Sequence, residues 1–508
     1  MAARRDTGLA ALAGLAAGAV TLGVGALVAL VTGPTSDPLV AVGSAFVDAT
    51  PAWLKDFAAS TFGTADKLVL GIGEVVVLLA LAALAGVLAA RRWAWGATLV
   101  VVLGAVAGLA AMGRPDAGAL AALPSVAGAI AGLMTLRALV RRLPGAPGQR
   151  PRPVGAERRA FLQATAAAGA LGVVGVVIGR AVGAGARGAQ AARAAITIPR
   201  PSTTAAPVPA GVDVGVDGVG PWQTPADEFY RIDTALVVPQ VDPSTWTLRV
   251  HGMVEQEVTL TWDELLASDL VEAWVTLACV SNPVGGDLVG NQKWLGLPIR
   301  ELLARAKPTG DADMVLSRSV DGFTASTPLA ALTDDRNALL AVAMDGEPLP
   351  VEHGFPVRMV VPGLYGYVSA TKWVTELTVT RFADATSYWT DRGWSPEGPV
   401  KTQSRIEVPS GGSVPAGPVV VAGTAWAQHR GITGVQVRVD DGPWNDATLA
   451  DDGGIDSWRQ WSWTWQADAG EHELFVRASD PVGPQTGTPA DVIPDGATGY
   501  DSVRVSVT

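Results

Sequence analysis

The chain has 508 residues, room for about three units of ordinary domain size. Its formal net charge of −11 lacks the basic footprint that nucleic-acid binding requires, so nucleic acid is excluded as a partner. A single cysteine, Cys279, excludes an intramolecular disulfide and leaves the redox compartment unmarked.

Residues 1–190 are rich in Ala, Val, Leu and Gly, whereas residues 210–508 read as an acidic, Trp-rich β protein. Four apolar runs come first, roughly 8–32, 68–90, 94–112 and 118–140, and a fifth runs from about Ala160 to Ile178. A ~30 Å hydrocarbon core takes ~20 apolar residues, so the pattern predicts a five-span transmembrane α-helical bundle over 1–190, embedded in lipid. A soluble helical core competes, but five such runs leave it no polar faces. Glu74 is the ionisable side chain well inside a run, a functional candidate or an interfacial residue.

Arginines set the orientation. Arg4 and Arg5 precede the first run and place the N-terminus inside. Loop 33–67 carries Asp37, Asp48, Asp56 and Asp66 against Lys55 and Lys67 and falls outside. Arg91 and Arg92 fall inside, and the turn at Arg114 and Asp116 falls outside. The loop 137–159, with Arg137, Arg141, Arg142, Arg150, Arg152, Arg158 and Arg159, falls inside. Everything after the fifth run is then extracytoplasmic, which makes the protein a multi-pass membrane protein with residues 191–508 outside. Arg158-Arg159 before Ala160-Phe161-Leu162-Gln163 fits either a positive-inside flank or a twin-arginine export signal. Residues 191–220, rich in Ala, Pro, Gly and Thr, predict a flexible linker.

From Trp222 the character changes. Phe229-Tyr230-Arg231-Ile232-Asp233-Thr234 precedes an alternating strand, Trp246–Gly252. Thr261 caps a short helix with Glu264 three residues on. The run Ala273 to Leu277 delivers Cys279 to a polar, Gly-rich turn, Val280-Ser281-Asn282-Pro283-Val284-Gly285-Gly286. On its own this cysteine is a buried small hydrophobe, a reactive thiol or a metal ligand. Lys293-Trp294-Leu295-Gly296 leads into a helix over Arg300–Ala306. Asp345-Gly346 makes a hairpin turn. His353-Gly354-Phe355-Pro356-Val357-Arg358 runs into a strand at Met359–Val361 and the turn Pro362-Gly363-Leu364-Tyr365-Gly366.

Four blocks, in this order, resemble the sulfite oxidase family of molybdopterin-dependent oxidoreductases. They are Thr276-Leu277-Ala278-Cys279 with Asn282, Lys293-Trp294-Leu295-Gly296, Met344–Pro350 running into His353–Gly363, and Ser369-Ala370-Thr371-Lys372-Trp373. The resemblance covers about 222–382 and implies an α+β molybdopterin-binding catalytic domain over 221–382. It implies that Cys279 ligates molybdenum, and that Arg231, Asn282, His353, Arg358, Ser369, Ala370, Thr371 and Lys372 contact the anionic cofactor. A soft thiolate suits a high-valent metal, and Arg358 and Lys372 suit phosphate. Two departures bear on substrate. Phe323 stands where sulfite-oxidising members carry an active-site tyrosine, and Pro283-Val284 replace the arginine that follows the asparagine.

Residues 383–508 show short strands with Gly and Asp turns and predict an immunoglobulin-like β-sandwich. It resembles the second domain of the same enzymes, the dimerisation domain, which leaves a homodimer as one option. Trp458, Trp461, Trp463 and Trp465 are expected in the sandwich core and in domain packing rather than on a sugar platform. The four histidines, His251, His353, His429 and His472, all follow the fifth run, so no bis-histidine haem is expected in the bilayer. Without a Cys-x-x-Cys-His motif no covalent haem is expected either. Electrons are then expected to pass through a separate protein or a quinone-linked partner. The expected activity is oxygen-atom transfer to or from a small sulfite-like or sulfoxide-like molecule. The alternative is a catalytically inactive, membrane-tethered binding module that uses the sandwich.

Overall fold

The computed structural model describes residues 7–51, 54, 66–115, 117–144, 154–183 and 186–508. Arg4, Arg5, Lys55, Asp56, Asp116, Arg150 and Arg152, which carry part of the orientation pattern, lie outside the described residues. The chain divides into two compact units. One is Met1–Gly188 with Ala235–Val238, and the other is Ala189–Thr234 with Pro239–Thr508.

In the first unit the apolar runs are helices: α1 Thr7–Thr32, α2 Pro38–Ala49, α3 Asp66–Arg91, α4 Trp93–Met112, α5 Leu123–Arg141 and α6 Val154–Gly183. Among the described residues, five of these, all but α2, are long and apolar enough to cross a membrane. Helix α1 packs against α3, α5 and α6, and its backbone meets theirs directly. A Cβ on Gly14 would stand 2.0 Å from the Ala82 carbonyl oxygen, and one on Gly23 would stand 2.3 Å from that of Gly172. Small residues permit this approach, and close van der Waals packing is what holds apolar helices together when their surroundings are equally apolar. Helix α2 departs from the sequence expectation of a loop over 33–67. Asp37 starts it by accepting the N–H groups of Leu39 and Val40, and Pro38 takes the first helical turn. Glu74 of α3 lies beside α2, its Oε2 3.0 Å from where a Cβ on Gly43 would stand.

The second unit begins within α7, Ala186–Ala195, and continues as an extended segment. The sequence predicts a free linker here, but residues 196–222 are tied down. The Ser202 N–H donates to the Leu270 carbonyl at 2.8 Å, Thr203 bridges Val271, and the Val214 N–H donates to Gln460 Oε1 at 2.9 Å. Trp222 and Trp458 exchange indole hydrogen bonds onto each other's carbonyls, at 3.2 and 2.7 Å. Pro-rich composition signals a chain without its own ladder, not one without partners.

Two sheets build the middle of the unit. One has the order β2 (Val258–Thr261), β1 (Thr247–Gly252), β10 (Val374–Thr380), β5 (Met314–Ser319), β6 (Thr324–Pro328), with β1 and β10 parallel. The other joins β3 (Val271–Ala278), β4 (Val289–Pro298), β7 (Leu339–Met344) and β8 (Glu347–Pro348), and β9 (Arg358–Val360) pairs with β7. Short helices cover them: α8 Trp262–Leu266, with the predicted Thr261–Glu264 capping box, α9 Ile299–Ala306, α10 Leu329–Thr333 and α11 Gly366–Ser369. Strand β7 is buried at every position, so β3, β4 and β7 form a rigid base for whatever follows β3.

Two further sheets close the chain. One runs β11 (Gln403–Val408), β13 (Gly417–Trp426), β17 (Arg459–Ala467), β16 (Thr448–Leu449). The other runs β12 (Gly412–Val414), β20 (Asp501–Val507), β18 (Gly470–Asp480), β14 (Gly434–Val439), β15 (Asn445–Asp446), and β19 (Gly483–Pro484) pairs with β18. Val421, Trp461 and Trp465 from the first share a core with Val437, Leu474, Val476 and Val505 from the second. Trp458 instead joins the core of the middle sheets. The tryptophans thus divide between core and packing, as expected.

Candidate active site at Cys279

Strand β3 brings Cys279 to the site, and the C-terminal sheets hold its end. Thr276 donates its N–H to the Asp456 carbonyl at 2.9 Å, and its own carbonyl accepts from Gln428 Nε2 at 3.1 Å. Its hydroxyl accepts the Trp458 N–H at 2.8 Å and donates to Asn291 Oδ1 at 2.9 Å. Past Ala278 the Cys279 N–H reaches back to the Leu288 carbonyl at 2.9 Å, closing a loop. Asn282 braces that loop by accepting the Leu288 N–H at 2.8 Å. Arg405 donates to the Gly286 carbonyl at 3.0 Å. Gly285 has φ 74°, and a Cβ there would stand 2.2 Å from Asp501 Oδ1. Glycine is therefore required twice over, by conformation and by space.

Cys279 is 9 % exposed. Burial pushes its thiol up, while hydrogen bonds with Ser281 and the charge of Lys372 pull it down. The group therefore rests as a thiol, and a metal would have to displace the proton.

Four of the predicted side chains converge beside it. Arg358 is 5 % exposed. Its Nε donates to the Met359 carbonyl at 3.3 Å, its Nη1 donates to the His353 carbonyl at 3.1 Å, and its guanidinium stacks over Trp294 at 5.2 Å. Among the described residues no carboxylate pairs with it. Burial brings its pKa down to about 10. Lys372 donates to Asp233 Oδ2 at 2.9 Å and to the Glu352 carbonyl at 3.1 Å. Burial lowers it to about 8 against the pull of Asp233. Arg231 shares the same carboxylate at 2.9 Å. His353 is held down to about 3, by burial first and then by Arg358, Lys372 and Arg231. It is a neutral imidazole with one N–H to give. Three cations against one carboxylate leave this pocket with a surplus of positive charge.

The remaining predicted residues fall differently. Ser369 donates its hydroxyl to the Tyr365 carbonyl at 2.9 Å, and the Ala370 N–H donates to the Gly366 carbonyl at 2.9 Å. Thr371 shares a 2.7 Å hydroxyl contact with Ser317. The Ser369 hydroxyl and the Ala370 N–H thus close α11, and the Thr371 hydroxyl is turned to β5. Phe323 is set on the β5–β6 turn by Asp321, and its ring meets Tyr388 at 5.7 Å rather than the cation cluster.

Sequence reading missed Tyr230 and Asp233. Phe229 stacks on Tyr230 at 5.2 Å and meets Trp294 and His353 edge-on at 5.6 and 5.7 Å. The Phe229 ring lies over Gly290, which pairs with Leu277 across the β3–β4 ladder. Tyr230, half-buried, turns its hydroxyl inward, where burial pushes its pKa up, with Cys279 adding and Arg358 opposing. The signal was present in the chain. Tyr230 and Asp233 flank Arg231 in a block noted only for its arginine.

The donor set suits a molybdopterin. One thiol is available for a metal. The surplus cations suit a phosphate. Asn282, 3 % exposed, aims an Nδ2 with no protein partner into buried space, which is the mark of a missing acceptor.

Comparison with known proteins agrees. Residues 235–389 match the family described as oxidoreductase molybdopterin binding domain. Mitochondrial sulfite oxidase of Mus musculus is 31 % identical over 299 residues, covering 47 % of this chain and 53 % of the mouse protein. Sulfite oxidase of Gallus gallus is 30 % identical over 306 residues, covering 50 % of this chain and 66 % of its own. The uncharacterized oxidoreductase YuiH of Bacillus subtilis is 30 % identical over 180 residues, 35 % of this chain and 87 % of that protein. Among solved structures, the sulfane dehydrogenase SoxCD from Paracoccus pantotrophus aligns with a TM-score of 0.47 and 24 % identity, over 53 % of this chain and 75 % of that one. The chain spans about half the length of the mammalian relatives it matches. A single buried thiol with a cluster of buried cations, carried on four ordered blocks and matched by these relatives, places this chain in the sulfite oxidase family of molybdopterin-dependent oxidoreductases.

Proposed function

We propose that the chain is a membrane-anchored, molybdenum-cofactor-dependent oxidoreductase that acts at the outer face of the membrane on a small sulfite-like or sulfoxide-like substrate. The observation that carries this is buried Cys279, which feels the charge of Lys372, with Arg358 paired to Lys372 across a backbone bridge as a buried guanidinium without a carboxylate partner among the described residues. When bound, the cofactor supplies the redox metal that exchanges an oxygen atom and two electrons with substrate. Cys279 holds the metal as thiolate. Arg358, Lys372 and Arg231 neutralise the anionic part. His353 and Asn282 each offer an N–H. Trp294 and Phe229 keep the guanidinium and imidazole in place and water out. Cation–π contact contributes about 2 kcal/mol at a desolvated site.

The remaining architecture follows from the same reading. Residues 1–190 form the transmembrane bundle and 191–220 the connector. Residues 221–382 form the catalytic domain, and 383–508 an immunoglobulin-like sandwich, a candidate dimerisation surface. Arg158-Arg159 precede the last crossing and suit export of a folded, loaded domain by the twin-arginine route. Electrons go to or come from a separate electron-transfer or quinone-linked protein, and the bundle carries no haem. All four histidines lie in the second unit, and His251, His429 and His472 bond to Glu376, Asp456 and Asp440. Phe323 and Pro283-Val284 weigh against a doubly charged substrate, since no phenol or guanidinium is supplied at those positions.

The test is metal analysis of the purified chain joined to a screen of oxidisable and reducible sulfur compounds with artificial electron carriers. Stoichiometric molybdenum with turnover of one class supports the reading. A chain that folds without molybdenum and turns over nothing contradicts it and favours the tethered binding module.

A further inference from the structure

We propose that Tyr230 supplies the phenolic O–H of this centre, taking the part left open by Phe323. The inference rests on the molybdopterin reading above and deepens it by adding a catalytic hydrogen-bond donor for the oxygen-transfer step.

The placement begins in the β3–β4 ladder. The segment from Trp222 to Tyr230 docks along β4, with the Thr224 N–H donating to the Asn291 carbonyl at 2.9 Å and Asn291 Nδ2 donating to the Trp222 carbonyl at 3.2 Å. Phe229 then lies over Gly290, where a Cβ would stand 2.9 Å from the ring. Gly290 is opposite Leu277, two residues before Cys279. Tyr230 is therefore carried to the end of β3 where the thiol stands. The same geometry is visible from the far wall. A Cβ on Gly366 would stand 3.9 Å from the Ala278 carbonyl oxygen and 4.0 Å from the Tyr230 hydroxyl. The residue before the cysteine and the phenol thus face one small space, kept open by a glycine.

The hydroxyl is also unspent. Tyr367 donates its O–H to the Ser395 and Glu397 carbonyls at 2.9 and 3.2 Å, and the Tyr365 oxygen accepts the Lys401 N–H. Among the described residues, the Tyr230 hydroxyl makes no hydrogen bond to another protein group. A phenol with no protein partner, within electrostatic reach of a thiol and a guanidinium, keeps its O–H available for a ligand. The oxygen in transit, or the substrate oxygen that receives it, is the acceptor this position suits. The phenol keeps its proton and works as a hydrogen-bond donor to developing negative charge, with the Arg358 cation behind it. Because the hydroxyl braces nothing in the protein, its removal leaves the fold intact.

The experiment compares wild type with Tyr230→Phe as purified, loaded full-length protein. Three quantities are read: molybdenum content, kcat and KM separately, and the electron paramagnetic resonance of the one-electron-reduced metal. Equal metal content, kcat lowered about 100-fold with KM nearly unchanged, and an altered resonance are expected, the size being that of one lost donor to a charged transition state. A loaded Tyr230→Phe with wild-type kcat and resonance overturns this inference and leaves the reading of the site standing. A loss of metal together with activity overturns it too, since the residue would then belong to cofactor retention. A wild-type chain that holds no molybdenum overturns the reading itself, and this inference with it.

Discussion

Asp233→Asn probes the charge arrangement of the site most sharply. The Asp233 carboxylate is 6 % exposed and lies 2.9 Å from Lys372, which is 9 % exposed. Removing one partner of a buried pair costs about 3–5 kcal/mol, because the other charge is left uncompensated. On a scale of about 2–4 °C per kcal/mol this is about 6–20 °C in the melting temperature of the second unit. The sign with pH follows from Lys372, whose pKa is lowered from 10.5 to about 8. Below pH 8 the amine is charged and depends on Asp233. Above it the amine is neutral, so the penalty shrinks, and uptake of the anionic cofactor weakens over the same range. In loaded protein the cofactor's phosphate supplies the missing counter-charge. The penalty should then fall by about 2 kcal/mol or more relative to the apo chain. Thermal unfolding of apo and loaded protein at pH 7 and pH 9 measures all of this. Equal losses in apo and loaded forms would show that Lys372 faces no anionic ligand, and would refute the reasoning.

Thr276→Val should strand the Trp458 N–H and Asn291 Oδ1 in buried space, at about 1–3 kcal/mol each. The second unit should unfold at visibly lower denaturant, and an unchanged midpoint would mean that the C-terminal sheets do not hold the cysteine strand. Replacing Arg158 and Arg159 together by Lys should trap residues 200–508 inside while the first four spans still insert. Normal protease accessibility from outside would count against the export route. The purified single chain should show no stoichiometric haem in its visible spectrum; a haem band that persists through purification would contradict the proposed separate electron carrier.

Much of the architecture was legible because its signals are local. Five apolar helices follow from hydropathy, and the Thr261–Glu264 box from its spacing. The hairpin at Asp345-Gly346 follows from turn chemistry, with φ of 56° and 78° at its two positions. The helix Pro38–Ala49 was missed although Asp37-Pro38 is a start signal, because the acidic residues around it read as loop. The linker was misjudged because its partners, Leu270, Val271 and Gln460, are distant in sequence. The same cause hid half of the site. Cys279, Arg358 and Lys372 stand in recognisable blocks, but Asp233 acts through a lysine 139 positions away. Tyr230 becomes visible only once Phe229 is seated on Gly290. The short helix before the Ser369–Thr371 block was not announced by the sequence, and the Ser369 hydroxyl and Ala370 N–H serve it while Thr371 meets Ser317.

The central claim is that Cys279 holds the metal of a molybdopterin in this pocket. X-ray absorption at the molybdenum edge, on purified wild type and on Cys279→Ser, tests it most directly. The account predicts that the variant loses one sulfur neighbour at the metal, together with all turnover, while the chain stays folded. A metal environment in Cys279→Ser that is identical to wild type, with activity retained, would contradict it.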